Sequence, residues 1–114
     1  MEIKIIKDKI SREQIRQLAQ EGFGNMVKAV VDIAQGVMAL GGEWHADAEA
    51  VLLEDGSKQE NLWGINIYPD NNDESLIAFA SLINIRPRVG NRSMEIQDLF
   101  IREKIKDIVM RLIV

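Results

Sequence analysis

The run Met26-Val27-Lys28-Ala29-Val30-Val31-Asp32-Ile33-Ala34-Gln35-Gly36-Val37-Met38-Ala39-Leu40 decides the fold. Its first half is rich in valine and alternates weakly, and its last four residues are apolar. β-Branched side chains favour strands over helices. Between the halves, Ala34-Gln35-Gly36 matches a three-residue loop, a type I turn closed by a left-handed bulge residue. The pattern predicts two strands, residues 26–33 and 37–40, joined as a hairpin. The rival is one helix through residues 25–40. Met, Lys and Ala suit it, but the valines and Gly36 oppose it.

On the N-terminal side, residues 2–7 alternate apolar and charged, with Ile3 and Ile5 on one side, as in a short strand. Ser11-Arg12-Glu13-Gln14 has capping-box spacing, and Ile10 and Ile15 occupy the staple positions around it. A helix is predicted to start at Arg12, to bury Ile15 and Leu18, and to stop near Gly22.

On the C-terminal side, residues 46–54 read as a helix with acids in its first turn and Gly56 beyond its end. Residues 62–68 read as a strand with Trp63, Ile65 and Ile67 on one face, and residues 69–75 as a polar connection. Residues 76–86 read as a longer strand with Ile77, Phe79, Ile83 and Ile85 on one face, ended by Pro87. Asp98 is a candidate N-cap for a last helix from about Leu99, whose Ile101, Ile105, Ile108 and Leu112 form one stripe. The expected class is α+β: an antiparallel or mixed sheet of about five strands with three helices, in the order βα-ββ-α-ββ-α.

With 114 residues the chain is expected to form a single domain, 1–114, with one core. It has no cysteine, which excludes disulfides and thiolate-ligated metals. With neither a membrane-spanning run nor a signal-peptide pattern, the expected location is cytoplasmic, without a membrane partner. The net charge is −4, and residues 43–75 carry nine acids against one base, Lys58. An acidic balance makes extensive nucleic-acid binding unfavourable.

The densest chemistry is Gly41-Gly42-Glu43-Trp44-His45-Ala46-Asp47-Ala48-Glu49. It holds the only histidine, one of two tryptophans and three carboxylates: in a helix His45 and Glu49 share a face, and in a strand Glu43, His45, Asp47 and Glu49 do. Either way a carboxylate is expected within reach of His45, raising its pKa and making His45 and Glu49 the catalytic candidates. The pair would also suit two ligands of a metal, but no zinc spacing is present and no metal site is expected. Trp44 reads as core or pocket wall, and Gly41-Gly42 as a bulge or tight bend.

Ile65-Asn66-Ile67-Tyr68-Pro69 is echoed by Ile83-Asn84-Ile85-Arg86-Pro87. With the isoleucines inward, Asn66, Tyr68, Asn84 and Arg86 would face outward or into a groove. Asparagine is a poor strand former, so each needs compensation from a neighbouring loop or a ligand. Arg86-Pro87-Arg88-Val89-Gly90-Asn91-Arg92-Ser93 follows, where three guanidinium groups and turn N–H groups are candidates to hold phosphate or carboxylate. The plainer alternative is a turn whose arginines pair with the acidic middle of the chain.

Four runs, residues 41–49, 62–69, 82–87 and 90–93, together resemble a small, mainly bacterial family known as a domain of unknown function. The resemblance implies a common fold over nearly the whole chain and carries over no activity, cofactor or site residue. The residues themselves favour a domain that binds a polar or anionic small molecule through Asn66, Tyr68, Asn84, Arg86, Arg88 and Arg92, with His45 and Glu49 at the border. One alternative is a hydrolase of phosphodiester or similar bonds with His45 as acid or base. The other is a homo-oligomeric interaction module completed by Leu112-Ile113-Val114. The cofactor is left open.

Overall fold

The computed structural model describes residues 2–114. Five strands form one antiparallel sheet in the order β1-β3-β2-β4-β5: β1 Ile3–Ile6, β2 Val27–Asp32, β3 Val37–Gly41, β4 Leu62–Ile67 and β5 Ile77–Ala78. Three helices complete it: α1 Arg12–Glu21, α2 His45–Glu54 and α3 Leu99–Leu112. The α+β class, the three helices and the element order are as the sequence predicts, and the sheet is antiparallel throughout.

Both faces of the sheet are covered, because each strand splits its side chains by period two. Val27, Ala29, Val31, Met38, Leu40, Trp63, Ile65 and Ile67 pack against Ile15 and Ala19 of α1 and Ile105, Ile108, Val109 and Leu112 of α3. Val30, Ala39 and Leu62 pack against Ala48 and Leu52 of α2. On β4 the second face reads Leu62, Gly64, Asn66. It begins with Leu62 under Ala48 and Leu52 and ends with Asn66 beside His45, the first residue of α2.

The capping box forms as predicted, with Ser11 and Gln14 bonding reciprocally. α3 is capped by Asp98, whose carboxylate accepts from Phe100 and Ile101. Two departures lie in the turns. The hairpin loop has four residues, since Asp32 pairs with Val37, and so Ile33 leaves the strand. The cause is Asp32, which is fully buried: its Oδ1 accepts from the N–H groups of Ala34 and Gln35 at 2.9 Å each, and its Oδ2 accepts from the Ser57 hydroxyl at 2.7 Å. An aspartate that captures the N–H groups two and three residues on closes a turn early.

The larger correction concerns residues 76–86. They do not form one strand. β5 stops after Ala78, Ala80 bridges to Glu95, and 3₁₀ turns follow at Leu82–Asn84 and Pro87–Val89. Ser81 starts the first turn by accepting from the Ile83 N–H through its hydroxyl. Asn84, fully buried, then supplies what the missing strand would have: its Oδ1 accepts from Gly64 N–H at 2.8 Å and its Nδ2 donates to Gly64 O at 2.9 Å. A carboxamide carries the same donor and acceptor as a peptide unit, so Asn84 caps the open edge of β4. The echo is thus inverted. Ile65 and Ile67 are buried around a half-buried Asn66, whereas Asn84 is buried and Ile85 is 44% exposed.

The C-terminal residues are tied to the chain itself. Ile10 N–H donates to Leu112 O and Val114 N–H to Ile10 O, each at 2.9 Å, and Leu112 lies in the core. Among the described residues no helix is long and apolar enough to cross a membrane.

Candidate functional site

α2 buries His45, Ala48 and Leu52, the i, i+3, i+7 stripe of one helix face. His45 therefore enters the structure as the first member of an apolar stripe and is only 8% exposed. Its Nε2 lies 2.7 Å from the Ile65 carbonyl on β4. A carbonyl only accepts, so Nε2 carries the proton. In the neutral ring Nδ1 is then an acceptor.

The expected carboxylate partner of His45 is not there, and the direction of its pKa is the reverse of the expectation. Burial pushes the imidazole below its ordinary 6.5, the Ile65 carbonyl works upward, the Lys28 charge downward, and Asn66 upward. Without an adjacent carboxylate, desolvation of the cation prevails.

His45 lines a cavity of about 340 Å³ with Lys28, Trp44, Asn66, Leu82 and Met94 among its walls. Lys28 and Asn66 face each other across the β2–β4 ladder. The Lys28 ammonium lies 5.2 Å from the centre of the Phe23 ring and 5.5 Å from that of Trp44. Among the described residues it has no carboxylate partner, and none of the residues lining this cavity is acidic. Asn66 donates to Ala80 O at 3.3 Å, while its Oδ1 is buried with no partner. Trp44 is not core: it is 62% exposed, occupies the N-cap of α2 and makes no side-chain capping bond.

Glu49, Arg86 and Arg88 line a second cavity of about 700 Å³. Leu82 and Ile83 belong to both walls, so the 3₁₀ turn divides the two hollows. Arg86 stacks 4.9 Å from the Trp63 ring centre and pairs with Glu49 at 3.4 Å, while its Nη1 has no partner. Burial lowers the Arg86 pKa and Glu49 opposes the shift. Glu60 lines the same hollow, and its acids balance its guanidinium groups.

The sequence-derived set is therefore divided. His45 and Asn66 share the first cavity; Glu49, Arg86 and Arg88 share the second. Asn84 is enclosed, its amide held by Gly64 and by Met94 O at 3.1 Å. Tyr68 is half-buried at the end of β4, Arg92 is exposed, and neither lines either cavity. The arginine loop is organised around buried Asn91, whose Nδ2 reaches the carbonyls of Asn84, Ser93 and Glu95. The acidic connection pairs instead with α1, through Arg12–Asp73 and Arg16–Asp70 at 2.6 Å each. Among the described residues no three His, Asp or Glu gather as a metal site.

Sequence reasoning missed Lys28. The available signal was its place in a valine-rich strand, where an inward alternation makes a lysine unusual. It became meaningful only when the register set it opposite Asn66.

The fold and site define a small α+β domain with an antiparallel sheet covered on both faces and a cavity, free of acidic residues, at the start of its middle helix. The chain belongs to the family described as "Protein of unknown function (DUF5674)", which matches residues 4–112. No curated protein and no solved structure matches it.

Proposed function

We propose that this domain binds a compact anionic small molecule in the cavity between Lys28, Trp44, His45 and Asn66. The observation that carries the proposal is the setting of Lys28. Its side chain lines a cavity with no acidic residue among its walls, and its ammonium has no carboxylate partner among the described residues. The cavity volume, about 340 Å³, falls within the range of ligand sites, about 300–1,000 Å³.

Lys28 supplies the attraction for negative charge, and the uncapped first turn of α2 adds to it. The hydrolase alternative needs His45 and the arginines around one bond. They line separate cavities, so a binding role fits better.

Calorimetric titration with inorganic phosphate, ribose 5-phosphate and small carboxylates tests the proposal. At least one of these anions should bind saturably, and Lys28→Met should weaken it roughly tenfold, the loss of about one charge-assisted contact. Absence of binding by every anion, or equal binding by Lys28→Met, contradicts it.

A further inference from the structure

We infer that the ligand of this cavity is an amphiphilic monoanion, a carboxylate head on a short hydrocarbon body. This rests on the binding role proposed above and narrows it from any compact anion to one chemical class. The wall selects the body. Among the described residues, the polar side chains lining the cavity besides Lys28 are those of His45, Asn66 and Ser81, and the protein engages all three. His45 is bonded to Ile65 O. Asn66 donates to Ala80 O, its oxygen is closed off from solvent, and its side chain meets the imidazole. The Ser81 hydroxyl accepts from Ile83 N–H, and Ser81 is buried. The surface left to a ligand is that of Met26, Trp44, Leu82, Ile83 and Met94. Such a wall favours buried apolar area and leaves the hydroxyls of a sugar short of partners. Its two methionines, unbranched and adaptable, suit a flexible chain.

Lys28 selects the head. Its ammonium stands beside the exposed rings of Phe23 and Trp44, so the charged end of a ligand stays near water while its tail lies against the methionines. Among the described residues no arginine lines the cavity. Glu43 lines a neighbouring hollow with Lys28 and Trp44, without pairing with the ammonium. A lone ammonium with an acid in the next hollow suits a single negative charge better than the higher charge of a phosphate monoester.

Calorimetry at pH 7.5 with acetate, butanoate, pentanoate and hexanoate, against hexan-1-ol and inorganic phosphate, tests the inference. From butanoate to hexanoate the affinity should rise roughly fourfold per methylene, the gain of burying each one. Lys28→Met should weaken hexanoate roughly tenfold and leave hexan-1-ol unchanged. Leu82→Ser should flatten the rise with chain length. Met94→Ser serves if that variant does not fold; both side chains are exposed and lie outside the core. An affinity independent of chain length, hexan-1-ol binding as tightly as hexanoate, or a rise with chain length that survives the wall substitutions overturns the amphiphile. If phosphate or acetate still binds in a Lys28-dependent way, the anion cavity stands without it. If no carboxylate and no phosphate binds, both fall.

Discussion

At neutral pH the His45 imidazole carries no charge, because burial lowers its pKa below 6.5. The unfolded chain holds its histidine at the ordinary value, so between the two values the unfolded chain binds the proton more readily. Protonation therefore favours unfolding. The stability tied to neutral His45 is whole above about pH 6.5 and is lost as pH falls towards the folded value. Urea melts from pH 7.5 to 5 should show this loss, and His45→Gln, which has no proton to gain, should flatten it. An unchanged slope in His45→Gln would place the pH dependence elsewhere. At this scale the sequence placed a carboxylate beside His45, and the structure places the Ile65 carbonyl there. Proximity along the chain suggested Glu49, but the helix stripe that buries His45 delivers it to a backbone carbonyl of another strand. A register between distant strands is invisible to local spacing.

The element that shapes the site is the segment after β5. It lies directly on β4 at Gly64, where a Cβ would approach Ser81 Cβ to 2.5 Å, Ser81 Oγ to 2.6 Å and Ile83 Cγ1 to 3.0 Å. Gly64 does not have a positive φ, so space alone demands glycine there. Gly64→Ala should cost about 2 kcal/mol in chemical denaturation, as overpacking does, and shift the amide signals of residues 81–84. A neutral substitution with unmoved signals would contradict the close packing. The strand predicted for residues 76–86 failed for a related reason. Alternation of isoleucines fits a strand, but Ser81 starts a turn and Asn84 makes peptide-like bonds with its side chain. The poor strand propensity of asparagine was the legible warning. The capping box and the final helix were legible in full, since each is fixed by residues close together in the chain; the hairpin was legible except for its loop, which Asp32 closes one residue early.

On the scale of the whole molecule, three layers set the chemistry: α1 and α3 on one face, α2 on the other, and a sheet whose second face outruns α2. The end of that face beside His45 carries Lys28 and Asn66, both half-buried. The second cavity arises where the same loop folds back over Glu49 and Arg86. One expected hollow thus becomes two, because the 3₁₀ turn of Leu82 and Ile83 stands between the imidazole and the guanidinium groups. The class and element order came from periodicity and caps; the division of the site came from tertiary packing. The central claim is that a neutral His45, bonded through Nε2 to Ile65, borders a cavity in which Lys28 takes an anion. Nitrogen-resolved NMR of the imidazole at pH 7 tests it most directly. The expected result is a neutral ring protonated at Nε2, with the imidazole resonances moving as inorganic phosphate or ribose 5-phosphate is added. A ring that is charged, or protonated at Nδ1, or indifferent to every one of these ligands, would contradict it.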